Sequence, residues 1–444
     1  MRVLFILFAA LAAALFMMAA QQPDIRTGIR GGEIPVIAIA DMRGSGEAQT
    51  HMSVFNRTLF DEIEGSGALK IAPKSMYPLS VPQQPRDFGS RGIAIGDWAK
   101  PPVSAHYLAF GYSAVQDGRL VLFGYLFDVR QPDAANAQVV GKLYFGDLNA
   151  EGARKVAQEF AADILARFGS KSLAGSKIYF VSDRSGTKEI WSMDYDGQNQ
   201  QPVTRFGGQT ISFMPAISKD NTRLAFTQLS QRNPAILLWS LETGRRLPFV
   251  NPQASVNASP DFTPDSKNIV FSSSSGGGFA NIFIAGIDGS GLRPLTRVRA
   301  VETEPKVNPQ TGTEIVMTSG RGGTPQIYRM TIDGADIERL TSGEGDAVNP
   351  SWHPGGQLIA FCWTRGFEPG NYNIFTMDVA KREYLQLTHG AGRNENPTWA
   401  PDGRHIVFSS TRGGSAQIYS MLADGTQIKK LTGLGRNTMP VWTK

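Results

Sequence analysis

From Lys177 onward one pattern of about 45 residues returns six times, and this self-similarity constrains the fold more than any other feature. Each copy opens on an apolar run: "KIYFVSD" at 177, "RLAFTQL" at 223, "NIVFSSS" at 268, "EIVMTSG" at 314, "LIAFCWT" at 358 and "HIVFSST" at 405. The start-to-start spacings are 46, 45, 46, 44 and 47 residues, too regular for chance. A Gly-rich turn and a second run follow, such as "EIWSMD" or "NIFTMD". Next comes Asp-Gly in four copies, at 196–197, 288–289, 333–334 and 424–425. Asp-Gly readily takes the positive φ angles of a two-residue hairpin turn, which predicts antiparallel pairing of the flanking runs. A third strand is followed by a fourth that carries a proline, with an apolar residue two positions on: Pro215 and Ile217, Pro260 and Phe262, Pro305 and Val307, Pro350 and Trp352, Pro397 and Trp399.

Four short antiparallel strands per unit are the signature of a β-propeller blade. One such sheet cannot bury both faces alone, so each needs neighbours. A linear solenoid would need polar caps at both ends, and none is visible. Six blades closing into a ring is therefore the expectation. "NTMPVWTK" (437–444) is a further proline strand without followers, whereas the segment from Lys177 has followers but no proline strand. Joined, the two complete one blade, with Met439–Thr443 pairing to Lys177–Ser182.

Residues 21–170 show no repeat. "IPVIAIAD" (34–41) reads as a strand, "SVFNRTLFDEIEG" (53–65) as a helix and "ALKIAP" as a second strand. A hairpin around Asp117-Gly118 and a strand over 138–147 follow. After N-cap Asn149, Val156, Phe160 and Ile164 recur every fourth residue, the period of an amphipathic helix. The fold class is thus a small N-terminal α/β domain (35–170) followed by a six-bladed β-propeller (171–444). Ahead of them, Met1-Arg2 and the uncharged stretch Val3–Ala20 make a secretory signal over residues 1–20, with cleavage after Ala20. An uncleaved anchor is the alternative. Residues 21–34 remain as an N-terminal arm. The lone Cys362, within "LIAFCW", is expected to be a buried small hydrophobe.

Charge and motifs exclude several classes. A formal net charge of +5 is mild for 444 residues, and basic residues do not run beyond pairs such as Arg245-Arg246. Nucleic-acid binders concentrate such charge into a stripe that is not visible here. Propellers also occur fused to serine peptidases, but no Gly-x-Ser-x-Gly nucleophile elbow exists, and the chain runs out on the propeller with no room for a hydrolase domain. Five histidines (51, 106, 353, 389, 405) show no metal-ligand spacing. "DYDGQN" (194–199) opens like a calcium loop, but its glycine is misplaced and Arg205 stands at the essential Glu, so a hairpin turn is the better reading. No cofactor and no metal are expected.

What remains is geometry. The proline strand of a blade is innermost, so the two residues before each proline should rim the central channel. These are Phe213 and Met214, Ala258 and Ser259, Thr303 and Glu304, Val348 and Asn349, Glu395 and Asn396, and Thr438 and Met439. Hydrogen-bonding groups mixed with Met and Phe suit a surface that grips a protein. A propeller hydrolase or lyase, or a sensor of small ligands in the channel, is the alternative.

The order of signal, α/β domain, linker, six repeats and closing strand resembles the TolB family, periplasmic proteins of the bacterial Tol-Pal system. "SMDYDGQNQ" in the first repeat, "TEPKV" in the third and the final "MPVW" carry the resemblance, which covers nearly the whole mature chain. It implies a non-enzymatic periplasmic adaptor that supports outer-membrane integrity and cell division. By this resemblance the channel mouth binds the peptidoglycan-associated lipoprotein Pal. It also implies that the arm binds the inner-membrane protein TolA, here through Asp24, Ile25, Arg26, Ile29 and Arg30. The chain is expected to be monomeric and to meet membranes only through these partners. It departs from the family in a shorter arm, in Arg26 and Arg30 at acidic positions, and in Val307 where an aromatic residue is common.

Overall fold

The computed structural model describes residues 34–89, 92–365 and 371–443. The signal segment and the arm, including Asp24, Ile25, Arg26, Ile29 and Arg30, lie outside them. No helix among the described residues is long and apolar enough to cross a membrane.

The α/β domain is built on one sheet. Strand β1 (Val36–Ile39) pairs in parallel with β2 (Lys70–Ile71) on one side and β3 (Tyr107–Gln116) on the other. Antiparallel β4 (Arg119–Asp128) and β5 (Gln138–Asp147) extend it. Helices α1 (Met52–Gly65) and α2 (Ala150–Arg167) cover one face and bury Phe55, Leu59, Ile63, Val156, Phe160 and Ile164 against Leu120 and Leu122. Asn149 caps α2 as its residue type predicts, its side chain accepting from the Gly152 amide at 2.7 Å. The segment around Trp98 packs on part of the opposite face.

Six four-stranded antiparallel sheets follow, each running from an inner proline strand outward. In blade 1 the inner strand is Asn437–Thr443, paired with Lys177–Ser182 in a register that sets Trp442 beside Ile178. The ring closes as the repeat demands. Each proline strand belongs with the apolar run after it, so "TEPKV" is the inner strand of blade 4 and not part of a third unit. Six hydrophobic clusters each draw on two neighbouring blades. This is why no blade is stable alone: half of every core is supplied by the next sheet. At the start of each inner strand one amide also bonds the preceding blade, as Ser212 does to Lys188 O, Glu302 to Ala280 O and Asn437 to Ala416 O, each at 2.8 Å.

The Asp-Gly turns differ from the expected two-residue form. The strands do pair antiparallel, but the connection in blade 1 spans 195–200. The glycines take φ of 93°, 89°, 90° and 84° at Gly197, Gly289, Gly334 and Gly425, whereas their aspartates stay at negative φ. Asn199, Gly291, Asp336 and Gln427 supply the second positive φ. A packing constraint lies behind the choice of glycine. A Cβ on Gly334 would lie 2.2 Å from Leu295 O of the preceding blade, and one on Gly197 would lie 2.7 Å from Leu431 O. The glycine is where two blades touch backbone to backbone.

The α/β domain docks at the same end as these turns, on blades 6 and 1. Arg404 donates to Ser66 O (3.1 Å) and Gly67 O (2.6 Å), and His405 Nε2 donates to Gly65 O (2.7 Å). These are the orphan carbonyls at the C-terminus of α1, where positive side chains are favoured by the helix dipole. Burial alone would raise the Asp402 carboxyl, but bonding from His405 at 2.6 Å holds it below its ordinary value. Arg154 pairs with Asp196, and Gln158 reaches Tyr195 Oη at 2.9 Å. A cleft of about 520 Å³ remains between the domains, lined in part by Glu62, whose carboxyl is pushed up to about 7 by burial.

Candidate functional site: the channel mouth

The inner strands share a distortion that periodicity does not reveal. In all six the pairing register shifts at the proline, two residues opposing one on the neighbouring strand. The residue before the proline sits at positive φ every time: Met214 52°, Ser259 53°, Glu304 55°, Asn349 53°, Asn396 55° and Met439 53°. Proline cannot donate to the ladder, and a bulge absorbs the missing bond. Left-handed backbone at a non-glycine residue costs on the order of 1 kcal/mol and tends to collect at functional sites. Here the six bulges turn their residues into the channel, where they line a constriction of only about 80 Å³.

Bonds across blades hold this ring. The Glu304 carboxylate accepts from Thr318 Oγ1 (2.8 Å), from the Asn349 amide (2.9 Å) and from Asn349 Nδ2. Ser259 bonds Thr303 Oγ1 at 3.1 Å and Met214 Sδ at 3.0 Å. Cys362, fully buried as expected, donates to Asn349 Oδ1 at 3.5 Å, and burial holds its thiol far above the usual range. Buried and raised in this way, the thiol serves as packing.

Above the constriction the channel opens into a mouth of about 560 Å³. Of the twelve rim residues named from the sequence, Thr303, Glu304, Val348, Asn349, Glu395, Asn396, Thr438 and Met439 line it. Met214 and Ser259 are in the constriction beneath. Phe213 packs into the apolar cluster shared by blades 1 and 2, with Phe226 and Leu237, and Ala258 is half-buried; neither faces the open pocket. The mouth is thus off-centre, toward blades 4, 5, 6 and 1.

The periodicity gave no hint of Lys188, Tyr372, Arg393 and Arg436, which also line the mouth. Arg393 and Arg436 each precede the asparagine that begins an inner strand, a repeated Arg-Asn pair ("GRNENP", "GRNTMP") that could have shown them. Arg393 stacks over Tyr372 (5.5 Å) and pairs with Glu395 at 2.7 Å. No cluster of three or more metal-ligating side chains exists among the described residues. The arrangement offers a rigid, concave, hydrogen-bonding surface.

The fold is that of a β-propeller protein of six blades with an α/β domain on the end away from its open mouth. A family model described as TolB beta propeller domain matches residues 188–368 and 342–444, and the chain belongs to that family. A protein TolB homolog of Chlorobium luteolum is 30% identical over 272 residues, 61% of this chain and 58% of that protein. The Tol-Pal system protein TolB of Bordetella pertussis is 28% identical over 336 residues, 63% of this chain and 71% of that one. A shorter match, to a protein TolB homolog of Chlorobium chlorochromatii, is 34% identical and spans 31% of that relative. The first curated relatives are therefore matched over about a third to three fifths of their length. The crystal structure of TolB from Acinetobacter baumannii superposes with a TM-score of 0.74 at 21% identity, covering 93% of this chain and 97% of that one. This likeness extends the shared fold to the α/β domain.

Proposed function

We propose that this chain is a non-enzymatic periplasmic adaptor of the Tol-Pal system. Its channel mouth takes the lipoprotein Pal, and its N-terminal arm, residues 21–34, takes a TolA-like inner-membrane protein. The observation that carries the first half is the mouth itself: an open concavity whose floor is a pre-organised ring of six bulges, one from each blade's inner strand, on the end of the propeller left free by the α/β domain. Rigid backbone around a concave, mixed polar and apolar surface is what a docking site needs to bind without an ordering cost. The relatives' membership of the Tol-Pal system supports the choice of partner. Export by the segment Val3–Ala20 is part of the same reading, as is the absence of catalysis.

The test is capture of the soluble domain of the cognate Pal-like lipoprotein. Thr438→Trp fills the mouth without touching a blade core. It should weaken capture at least tenfold while the melting curve stays put; unchanged capture would remove the mouth as the site. Deleting Asp24–Gly32 should abolish binding of the TolA-like C-terminal domain and spare the lipoprotein, and retained TolA binding would place that site elsewhere.

A further inference from the structure

A set of basic residues far apart in sequence comes together at the mouth end of the propeller. Topology puts two sets of loops at the mouth: those between second and third strands, and those that lead into each inner strand. Lys188, Arg393 and Arg436 are exposed at the mouth pocket itself. Arg205, Arg232, Arg297 and Arg299, exposed on loops farther round the same end, extend the positive field. Apart from Arg393, none of these seven pairs with a carboxylate among the described residues.

A second layer lies just inside. Arg184, Arg321, Arg365 and Arg412 recur at one position of the repeat, two residues past the strand that follows the inner one. Each stacks on an aromatic ring, for example Arg184 over Trp191 at 4.7 Å and Arg412 over Tyr419 at 5.0 Å. Stacking holds these guanidiniums in place at the mouth end, where Arg321 is offset by its pair with buried Glu302 (2.5 Å) and the other three pair with no carboxylate among the described residues. Against this stand Glu304 and Glu395 in the mouth pocket and Asp183, Glu344 and Asp346 on the described parts of those loops, and of the five only Glu344 is exposed. Phe279, Val301 and Leu434 stand exposed among the cations at 45%, 54% and 73%. The aspartates of the Asp-Gly turns are all at the opposite end.

We propose that the mouth is an electropositive funnel whose partner presents an acidic protein face with apolar contacts among its charges. This rests on the reading of the mouth as a docking site and adds the chemistry of what docks there. Complementary charge of this kind acts mainly on the rate of encounter, by about 10-fold to 1,000-fold, and falls steeply with salt. Exposed apolar side chains interspersed with these cations supply the contacts that hold the complex once formed. A protein fits better than an anionic membrane, because a concave mouth admits a protruding surface whereas a bilayer would meet only the loop tips.

The experiment is stopped-flow association with the soluble domain of the cognate lipoprotein as probe. Raising NaCl from about 50 mM to about 500 mM, which shortens the screening length several-fold, should cut kon at least tenfold with koff nearly constant. Lys188→Glu combined with Arg436→Glu should lower kon a further five- to tenfold at low salt and flatten the salt slope. Lys188→Gln with Arg436→Gln should fall between, with all melting curves unchanged. Binding that ignores both salt and these reversals, yet is lost in Thr438→Trp, would overturn the acidic partner and leave the mouth standing. Indifference to all three variants would reject the mouth itself. Flotation with phosphatidylglycerol-containing vesicles, abolished by the Glu variants, would replace the protein partner with a membrane.

Discussion

Replacing Trp442 by alanine tests the seam at which the ring closes. The indole is 7% exposed and packs with Ile178, Phe180, Met193, Ile418 and Leu431. Its Nε1 donates to Ser176 Oγ at 2.9 Å. Truncating a buried Trp to Ala costs about 3–5 kcal/mol through lost burial and the cavity left behind. Ser176 Oγ keeps its bond to Leu173 O (2.6 Å) and loses only the indole donor, which adds at most about 1 kcal/mol. The expected loss is about 5 kcal/mol, which in a body of this size corresponds to a fall in Tm on the order of 10 °C. Trp399→Ala is the matched control, because Trp399 holds the same repeat position in blade 6, is 3% exposed, and its Nε1 has no partner among the described residues. It should cost the packing share alone and leave the ring closed. Urea titrations give the two free energies, and limited proteolysis reads the state of the ring: Trp442→Ala alone should expose the linker before Lys177 to cleavage under native conditions. A loss below about 1 kcal/mol, or equal protease resistance in both variants, would refute the claim that this strand holds the ring shut.

Two further outcomes follow from the interfaces. Burial pushes the Glu62 carboxyl up from its ordinary 4.5 to about 7, so its share of stability is full below about pH 4.5 and is lost as pH rises through about 7. Glu62→Gln should therefore match the parent near pH 4 and exceed it by about 1–2 kcal/mol near pH 8, after allowing for solvent screening; parallel stability curves across that range would show that the group is not buried. Gly334→Ala sets a Cβ against Leu295 O at positive φ and should cost at least about 2 kcal/mol in urea unfolding, whereas a change under about 0.5 kcal/mol would mean that the blades do not touch there.

Much of this architecture is legible in residues because it repeats. The runs at Lys177, Arg223 and their successors fix blade number, strand order and the closing partner, since any signal recurring at one period is counted six times. The Asn149 cap is legible because capping is local. The bulges are not, because a proline in a strand announces a break in the ladder but not the left-handed turn at Met214 or Asn349 that compensates for it. The Asp-Gly turns signal only their own hairpins, whereas Leu295 and Leu431, which dictate the glycine, lie in a different blade. Arg404 and His405 carry no local sign that they cap a helix more than 330 residues earlier. The mouth's charge is hidden for a related reason: Lys188, Arg393 and Arg436 are far apart in sequence and come to line one pocket only when the ring closes.

The seam between blades 1 and 6 also sets an order of events. Trp442 and Ser176 are 266 residues apart in sequence, while every other blade is assembled from neighbouring stretches. Loop closure over such a span must follow the local pairings that shorten it. Five sheets can form as the chain becomes available, each templated by the last, but the apolar edge of Lys177–Ser182 stays without its inner strand until Asn437–Thr443 arrives. In that interval the molecule is an open arc with a bare hydrophobic edge, the state most open to proteases and to mispairing with another chain. Anything that holds 437–443 back, whether a fused tag or an occupied chaperone, prolongs that interval and lowers the yield of closed rings without altering the stability of those that close.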